Sequence, residues 1–220
     1  VEFELDYLLR QWPALRSGLM VTIEVSALAI ALSILVGLVG AGIRVMHVPV
    51  LSQIVVAYVE FIRNTPLLVQ LFFVFFGLPA IGLTLSLFWS GVLALTLWAG
   101  AFQTENLRGG LASVGPGLRE AGRALGLNRL QYLWLIGLPL AVRISLPSML
   151  NTGVSLVKNS AYVSAIGLQD LTGVAFDRMA SDFRAFEMLT VLLVGYLTLV
   201  LTLSASVRLL EHRLHAPFRR

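Results

Sequence analysis

The chain has 220 residues, 57% of them hydrophobic and 13% charged, with a mean hydropathy of +0.85. A soluble domain carries roughly 25% charged residues, so this balance excludes an ordinary soluble domain and points to lipid. The formal charge is +4, which in so apolar a chain is a topology signal before it is a nucleic-acid footprint. Without cysteine there is no disulfide and no thiolate–metal site. The opening Val1-Glu2-Phe3-Glu4-Leu5-Asp6 is acidic where a cleavable leader begins basic. A valine start is read as a piece whose initiator lies upstream.

A spanning helix needs about 20 mostly apolar residues. Four windows meet this requirement, roughly 19–43, 85–102, 138–157 and 186–207. A fifth, about 52–78, is interrupted by Glu60-Phe61-Ile62-Arg63-Asn64-Thr65-Pro66. Proline breaks a helix interior but suits a first turn. This span is therefore predicted as two helical pieces, with Asn64 or Thr65 capping a restart at Pro66. Trp12 and Trp89 fall near span ends, as interface anchors do. Gly37, Gly40 and Gly42 allow a close helix approach at the inner end of span one.

With the N-terminus outside, the inner segments 44–63, 105–143 and 208–220 hold Arg44, Arg63, Arg108, Arg119, Arg123, Arg129, Arg143, Arg208, Arg213, Arg219 and Arg220. The outer segments 1–16 and 158–187 hold mostly acids. The positive-inside rule then predicts N-out and C-in. The expected organisation is an external segment 1–16, one transmembrane domain 17–210 and an inner tail 211–220. Glu24 is read as the one charge within a span, paired with a neighbouring helix. His47, His212 and His215 lack metal spacing and are given no role. No internal repeat is visible.

The longest polar stretch between spans runs from Glu105 to Ile136, and its loop at about 113–136 has legible local chemistry. Pro116 suits the first turn of a short helix, and Glu120 lies in its early turns, where the helix dipole favours an acid. Gly126 can take a positive φ and end that helix. Asn128 can cap the next, with Gln131 at the capping-box position, and Pro139 then opens span four. Two short helices presented to the inner side are the expected product.

The run Glu120-Ala121-Gly122, then Gly126, then Ile136-Gly137-Leu138-Pro139 resembles the loop shared by permease subunits of ATP-binding-cassette importers. Gly122 departs from the family's usual alanine. Glu60 to Leu71, Gly18 to Glu24, Arg108-Gly109-Gly110 and Val157-Lys158-Asn159-Ser160 resemble blocks of the polar amino-acid branch of that family. Ser160-Ala161-Tyr162 and Leu118 depart from it. The match covers about 17–210. The resemblance implies an all-α integral membrane fold of five spans, with two short cytosolic coupling helices between spans three and four. It further implies two ATP-binding ATPase subunits that hold ATP and Mg, a second permease subunit of the same or a related kind, and an extracytoplasmic amino-acid-binding receptor. The expected setting is the bacterial cytoplasmic (inner) membrane.

On that resemblance Arg119, Glu120, Ala121, Gly122, Arg123 and Gly126 are the ATPase-coupling residues. The alternative for Glu120 is a solvated charge, and for the arginines a topology signal. Asn151, Ser155, Lys158 and Asn159 share a helical face, as residues lining a path or bonding a partner helix would. Glu60 and Arg63, at i and i+3, form either a local ion pair or a gate beside the break; Thr65 and Gln70 of the same block are grouped with the path. The chain carries no glycine loop followed by Lys-Ser/Thr, so no ATP hydrolysis or other catalytic role is assigned to it. A secondary transporter would leave the 120–139 block without a purpose. A membrane-embedded enzyme lacks His-Glu-x-x-His, Gly-x-Ser-x-Gly or cysteine.

Overall fold

A computed structural model describes residues 3–215, with side chains through Leu209. The described residues are helical throughout, without strands. In chain order the helices are α1 (Leu5–Met46), α2 (Leu51–Arg63), α3 (Leu67–Phe72), α4 (Leu87–Ser113), α5 (Pro116–Ala124), α6 (Arg129–Tyr132), α7 (Leu138–Asn159), α8 (Leu171–Asp182) and α9 (Ala185–His215). Four stretches are long and apolar enough to cross a membrane: Leu5–Met46, Leu87–Ser113, Arg129–Ile166 and Ala185–Leu209. Leu51–Arg63 and Leu67–Ile81 form a sharply bent pair that makes a fifth if it is one span.

Several boundaries differ from the sequence expectation. Helix α1 begins at Leu5, so residues 5–16 are helical and continuous with the helix of the first span. At the break after α2, Asn64 is a C-cap, not an N-cap. Its amide donates to the Glu60 carbonyl at 2.7 Å, and the Thr65 hydroxyl donates to the Phe61 carbonyl at 2.8 Å. Both side chains close the helix behind them, because Pro66 disfavours a helical residue before it. The stretch 158–187 is folded: a 3-10 segment (Ser160–Ile166) follows α7, and α8 comes after it.

The chain divides into two compact units. One is made of Val1–Ala29, Leu67–Leu95 and Val154–Arg220; the other of Ile30–Pro66 and Thr96–Gly153. The first unit packs Tyr7, Leu15, Leu171, Val174, Ala175 and Met188 together, with Leu71, Ala94 and Ile166 as a second cluster. Its outer rim is ionic. Arg184 pairs with Glu4 at 2.5 Å and with Glu187 at 3.2 Å, and it lies over the Tyr7 ring. Glu187 is 1% exposed, and a carboxylate so placed needs such a partner.

The second unit has a core of Ala41, Leu107, Leu111, Leu133, Ala141 and Met149. Its helices approach closely through small residues. A Cβ on Gly37 would lie 2.5 Å from the Gln103 Cβ, and one on Gly40 would lie 2.6 Å from the Thr104 hydroxyl. Gly42 faces open space, so the expected glycine contact holds for two of the three positions. Polar side chains then bond across the narrow gaps. Gln103 donates to the Met149 carbonyl at 3.1 Å, Asn106 to the Thr152 hydroxyl at 3.0 Å, and Ser145 to the Asn106 carbonyl at 2.7 Å. Glu105 pairs with both Arg44 and Arg108. The membrane-length helices thus carry ion-paired charges at Arg44, Glu105, Arg108 and Glu187, whereas Glu24 is exposed and in none of the described ion pairs.

Gly109 and Gly110 provide a matched test of this packing. A Cβ at Gly110 would meet the Ser145 hydroxyl at 2.1 Å and the Ala141 carbonyl at 2.6 Å, whereas one at Gly109 meets nothing within 4 Å. Gly110→Ala is expected to destabilise the purified chain by about 1–3 kcal/mol through overpacking. Gly109→Ala should be neutral or stabilising by up to about 1 kcal/mol from helix propensity. Thermal unfolding of both variants checks the contrast; equal melting would contradict it.

Candidate functional site

The stretch between α4 and α7 is held in shape almost entirely by its own backbone. Gly115 is extended, and Pro116 takes the first position of α5, where its missing N–H costs nothing. The helix ends in a paired closure: the Gly126 N–H donates to the Arg123 carbonyl at 2.9 Å, and the Leu127 N–H to the Gly122 carbonyl at 3.0 Å. This Schellman arrangement needs a left-handed residue, and Gly126 supplies it at φ 78°. Asn128 and Gln131 then form a capping box. The Gln131 N–H donates to Asn128 Oδ1 at 2.8 Å, and the Asn128 N–H donates to Gln131 Oε1 at 2.9 Å.

Beyond this point the expectation of two separate helices fails. Helix α6 passes through a π-helical turn (Leu133–Gly137) straight into α7. Pro139 has no N–H to give and its ring crowds the carbonyl four residues back; a wider turn there relieves the crowding and lets the helix run on. The second short helix is therefore the tip of the fourth span.

Helix α5 is exposed along its length except at Gly122. A Cβ at Gly122 would lie 3.0 Å from the Tyr132 ring. Glycine here lets α5 rest on Tyr132. Arg119, Glu120, Ala121, Arg123 and Gly126 are all exposed, Arg119 and Arg123 on the wall of a cavity. Leu118 (45% exposed) and Leu125 (79%) join them, apolar side chains that the sequence reading had not singled out.

The remaining candidates are less gathered. Asn151 and Lys158 are exposed on α7, with Ser155 and Asn159 half-buried. Glu60 accepts the Asn64 amide at 3.2 Å, and Arg63 lies over the Phe102 ring at 5.3 Å. The expected Glu60–Arg63 ion pair is not among those of the described residues. Thr65 is half-buried and Gln70 buried. Among the histidines, His47 closes α1 at φ 54°, while the side chains of His212 and His215 lie outside the described ones.

A buried carboxylate at Asp170 went unpredicted. It is fully buried and caps α8 by accepting the Gly173 N–H at 2.9 Å. It also accepts from Tyr196 at 3.1 Å and Thr22 at 3.4 Å, so that α1, α8 and α9 meet on it. The usable signal was a capping aspartate before the run beginning at Leu171.

Among the described residues an all-helical chain with four or five stretches long and apolar enough to cross a membrane, and an exposed short helix between two of them, defines a polytopic membrane protein. Residues 29–216 match the family of binding-protein-dependent transport system inner membrane components, and the chain belongs to that family. The glutamine transport system permease protein GlnP of Escherichia coli (strain K12) is 34% identical over 208 residues, 92% of this chain and 95% of that protein. The probable glutamine ABC transporter permease protein GlnM of Bacillus subtilis (strain 168) is 37% identical over 201 residues, 91% and 93% of the two. A chain in the crystal structure of an amino acid ABC transporter with histidines superposes with a TM-score of 0.87 at 32% identity, covering 97% of this chain and all of that one. The MetNI methionine ABC transporter in an inward-facing form shares the fold, with a TM-score of 0.80 at 22% identity over 93% of this chain and 97% of that one. The chain is the membrane-spanning permease subunit of an ABC importer.

Asp170 makes the stability of its surroundings depend on pH. Burial raises its carboxyl above the ordinary value, against hydrogen bonds from Gly173, Thr172, Tyr196 and Thr22 that lower it. Between the ordinary and the raised value the folded chain binds the proton and the unfolded chain does not, so stability falls as pH rises through that window. Asp170→Asn keeps the cap to Gly173 and should flatten the slope of melting temperature against pH. An unchanged slope would contradict the assignment.

Proposed function

We propose that this permease carries a polar amino acid and that α5 is the element through which ATP hydrolysis in partner subunits moves it. The single observation behind this reading is the exposure of α5 on a rigidly closed support. Energy released outside the membrane domain needs a stiff element to act on, and α5 offers Leu118, Leu125, Arg119, Glu120, Ala121 and Arg123 to a cleft in such a subunit. The names of the relatives, glutamine permeases and an amino acid transporter, support the substrate class.

The proposed assembly has two permease subunits, identical or related, and two ATPase subunits that hold ATP and Mg on the inner face. A soluble or lipid-anchored receptor delivers the amino acid outside. The arginine distribution supports N-out and C-in, which puts α5 in the cytosol of a bacterial inner membrane. Closure of the ATPase subunits pushes α5 and opens the path outward; hydrolysis resets it. Asn151, Ser155, Lys158 and Asn159 line the path, and Glu60, Arg63, Thr65 and Gln70 flank a gate at the helix break.

The test is ATPase activity of the reconstituted complex with and without loaded receptor. Gly126→Val places a β-branched side chain at positive φ, which is strongly disfavoured. Glu120→Lys reverses a charge on the outward face of α5. Both variants should insert normally and lose most receptor stimulation, about tenfold for a coupling contact of roughly 1.4 kcal/mol. Stimulation equal to wild type in both would remove α5 from the coupling path.

A further inference from the structure

A cavity of about 460 Å³ opens beside the end of α1, lined by Arg119 and Arg123 of α5, Arg129 of α6 and the apolar Val45, Met46 and Leu133. We propose that this cavity is a binding site for a phosphate ester, occupied by the headgroup of an acidic phospholipid.

The charges carry the inference first. Arg119 and Arg123 stand four residues apart on one helix, a like-charge spacing that is destabilising, and Arg129 adds a third guanidinium to the same walls. None of the three is in a described ion pair, and no acid lines the cavity. The nearest acids in sequence are committed or turned away. Glu105 holds Arg44 and Arg108, and Glu120 is exposed on α5 outside the lining.

The C-terminal end of α1 opposes an anion through its dipole, and the three guanidiniums outweigh it. Two of the last carbonyls of α1 are already occupied, Ile43 by the Val48 N–H at 3.3 Å and Arg44 by the His47 N–H at 3.2 Å. Guanidinium forks match phosphate oxygens in pairs, so three of them form a phosphate site more readily than a site for a single halide.

The remaining walls select the form of the phosphate. Helix α1 is an apolar span that ends at Met46. The cavity joins its arginines to an apolar wall of Val45, Met46 and Leu133. A basic rim against an apolar wall suits a glycerophospholipid, whose phosphate adjoins its acyl chains.

The test reads lipid retention and not ATPase activity, so its outcome is separate from that of the coupling reading. The chain is purified in micelles holding equal phosphatidylcholine and phosphatidylglycerol, and retained lipid is identified by native mass spectrometry. Wild type should retain phosphatidylglycerol over phosphatidylcholine by about tenfold or more, as charged hydrogen bonds of this kind allow. The combined variant Arg119→Gln/Arg123→Gln/Arg129→Gln should lose that preference, while Arg10→Gln/Arg178→Gln/Arg208→Gln, equal in charge but elsewhere, should keep it. Arg129→Gln alone, expected to reduce it severalfold, serves if the combined variant does not fold. Glycerol phosphate added as a competitor separates the sources. Failure to displace the lipid supports the headgroup, and displacement supports the same site filled by a soluble phosphate ester. No preference in wild type, or equal loss in the control variant, would overturn the proposal.

Discussion

In hydrocarbon no water replaces a lost backbone hydrogen bond, so each spanning segment must satisfy its own N–H and C=O groups. Where a helix of this chain stops, its freed backbone groups are closed by local repairs. At Asn64 and Thr65 the repair uses side chains that turn back on α2. After α5 it uses a backbone closure at Gly126 followed by a capping box at Asn128. Because the second repair consumes backbone and cap atoms only, Leu118 and Glu120 of α5 and Leu125 at its end remain uncommitted. That leaves them available to a partner.

The support beneath α5 must be stiff for such a partner to do work through it. Stiffness comes from glycines that bring helices close enough for polar side chains to bond between them. The Gly110 contact with Ala141 and Ser145 and the Gln103–Met149 bond belong to one packed unit. Gly122 on Tyr132 joins α5 to the same unit, and the π turn carries Tyr132 directly into α7. A push on α5 therefore reaches a transmembrane helix without a flexible joint between them. The family's usual alanine at Gly122 adds a methyl where this chain has only a close ring contact.

The shape of the segment from α5 to α6 was legible in the sequence because its determinants are local. Pro116, Gly126, Asn128 and Gln131 each act within a few residues, and each behaves as its chemistry requires. Spans were legible from length and apolarity, although not their ends. The rest depends on contacts distant in sequence. Asp170 reads as one more polar residue in an outer segment until Thr22 and Tyr196 close over it. Glu60 and Arg63 have the spacing of an ion pair, yet Asn64 and Phe102 compete for them and win. Pro139 signalled a helix start, but a wider turn accommodated it.

The most direct measurement of the central claim is uptake of the labelled amino acid that the receptor binds, into proteoliposomes that hold the permease, its ATPase partner and the receptor. With ATP at the ATPase side and loaded receptor at the other, uptake should proceed against a gradient. It should stop when ATP is replaced by a non-hydrolysable analogue and persist when ion gradients are collapsed. Uptake that survives the analogue but fails without an ion gradient would contradict the account.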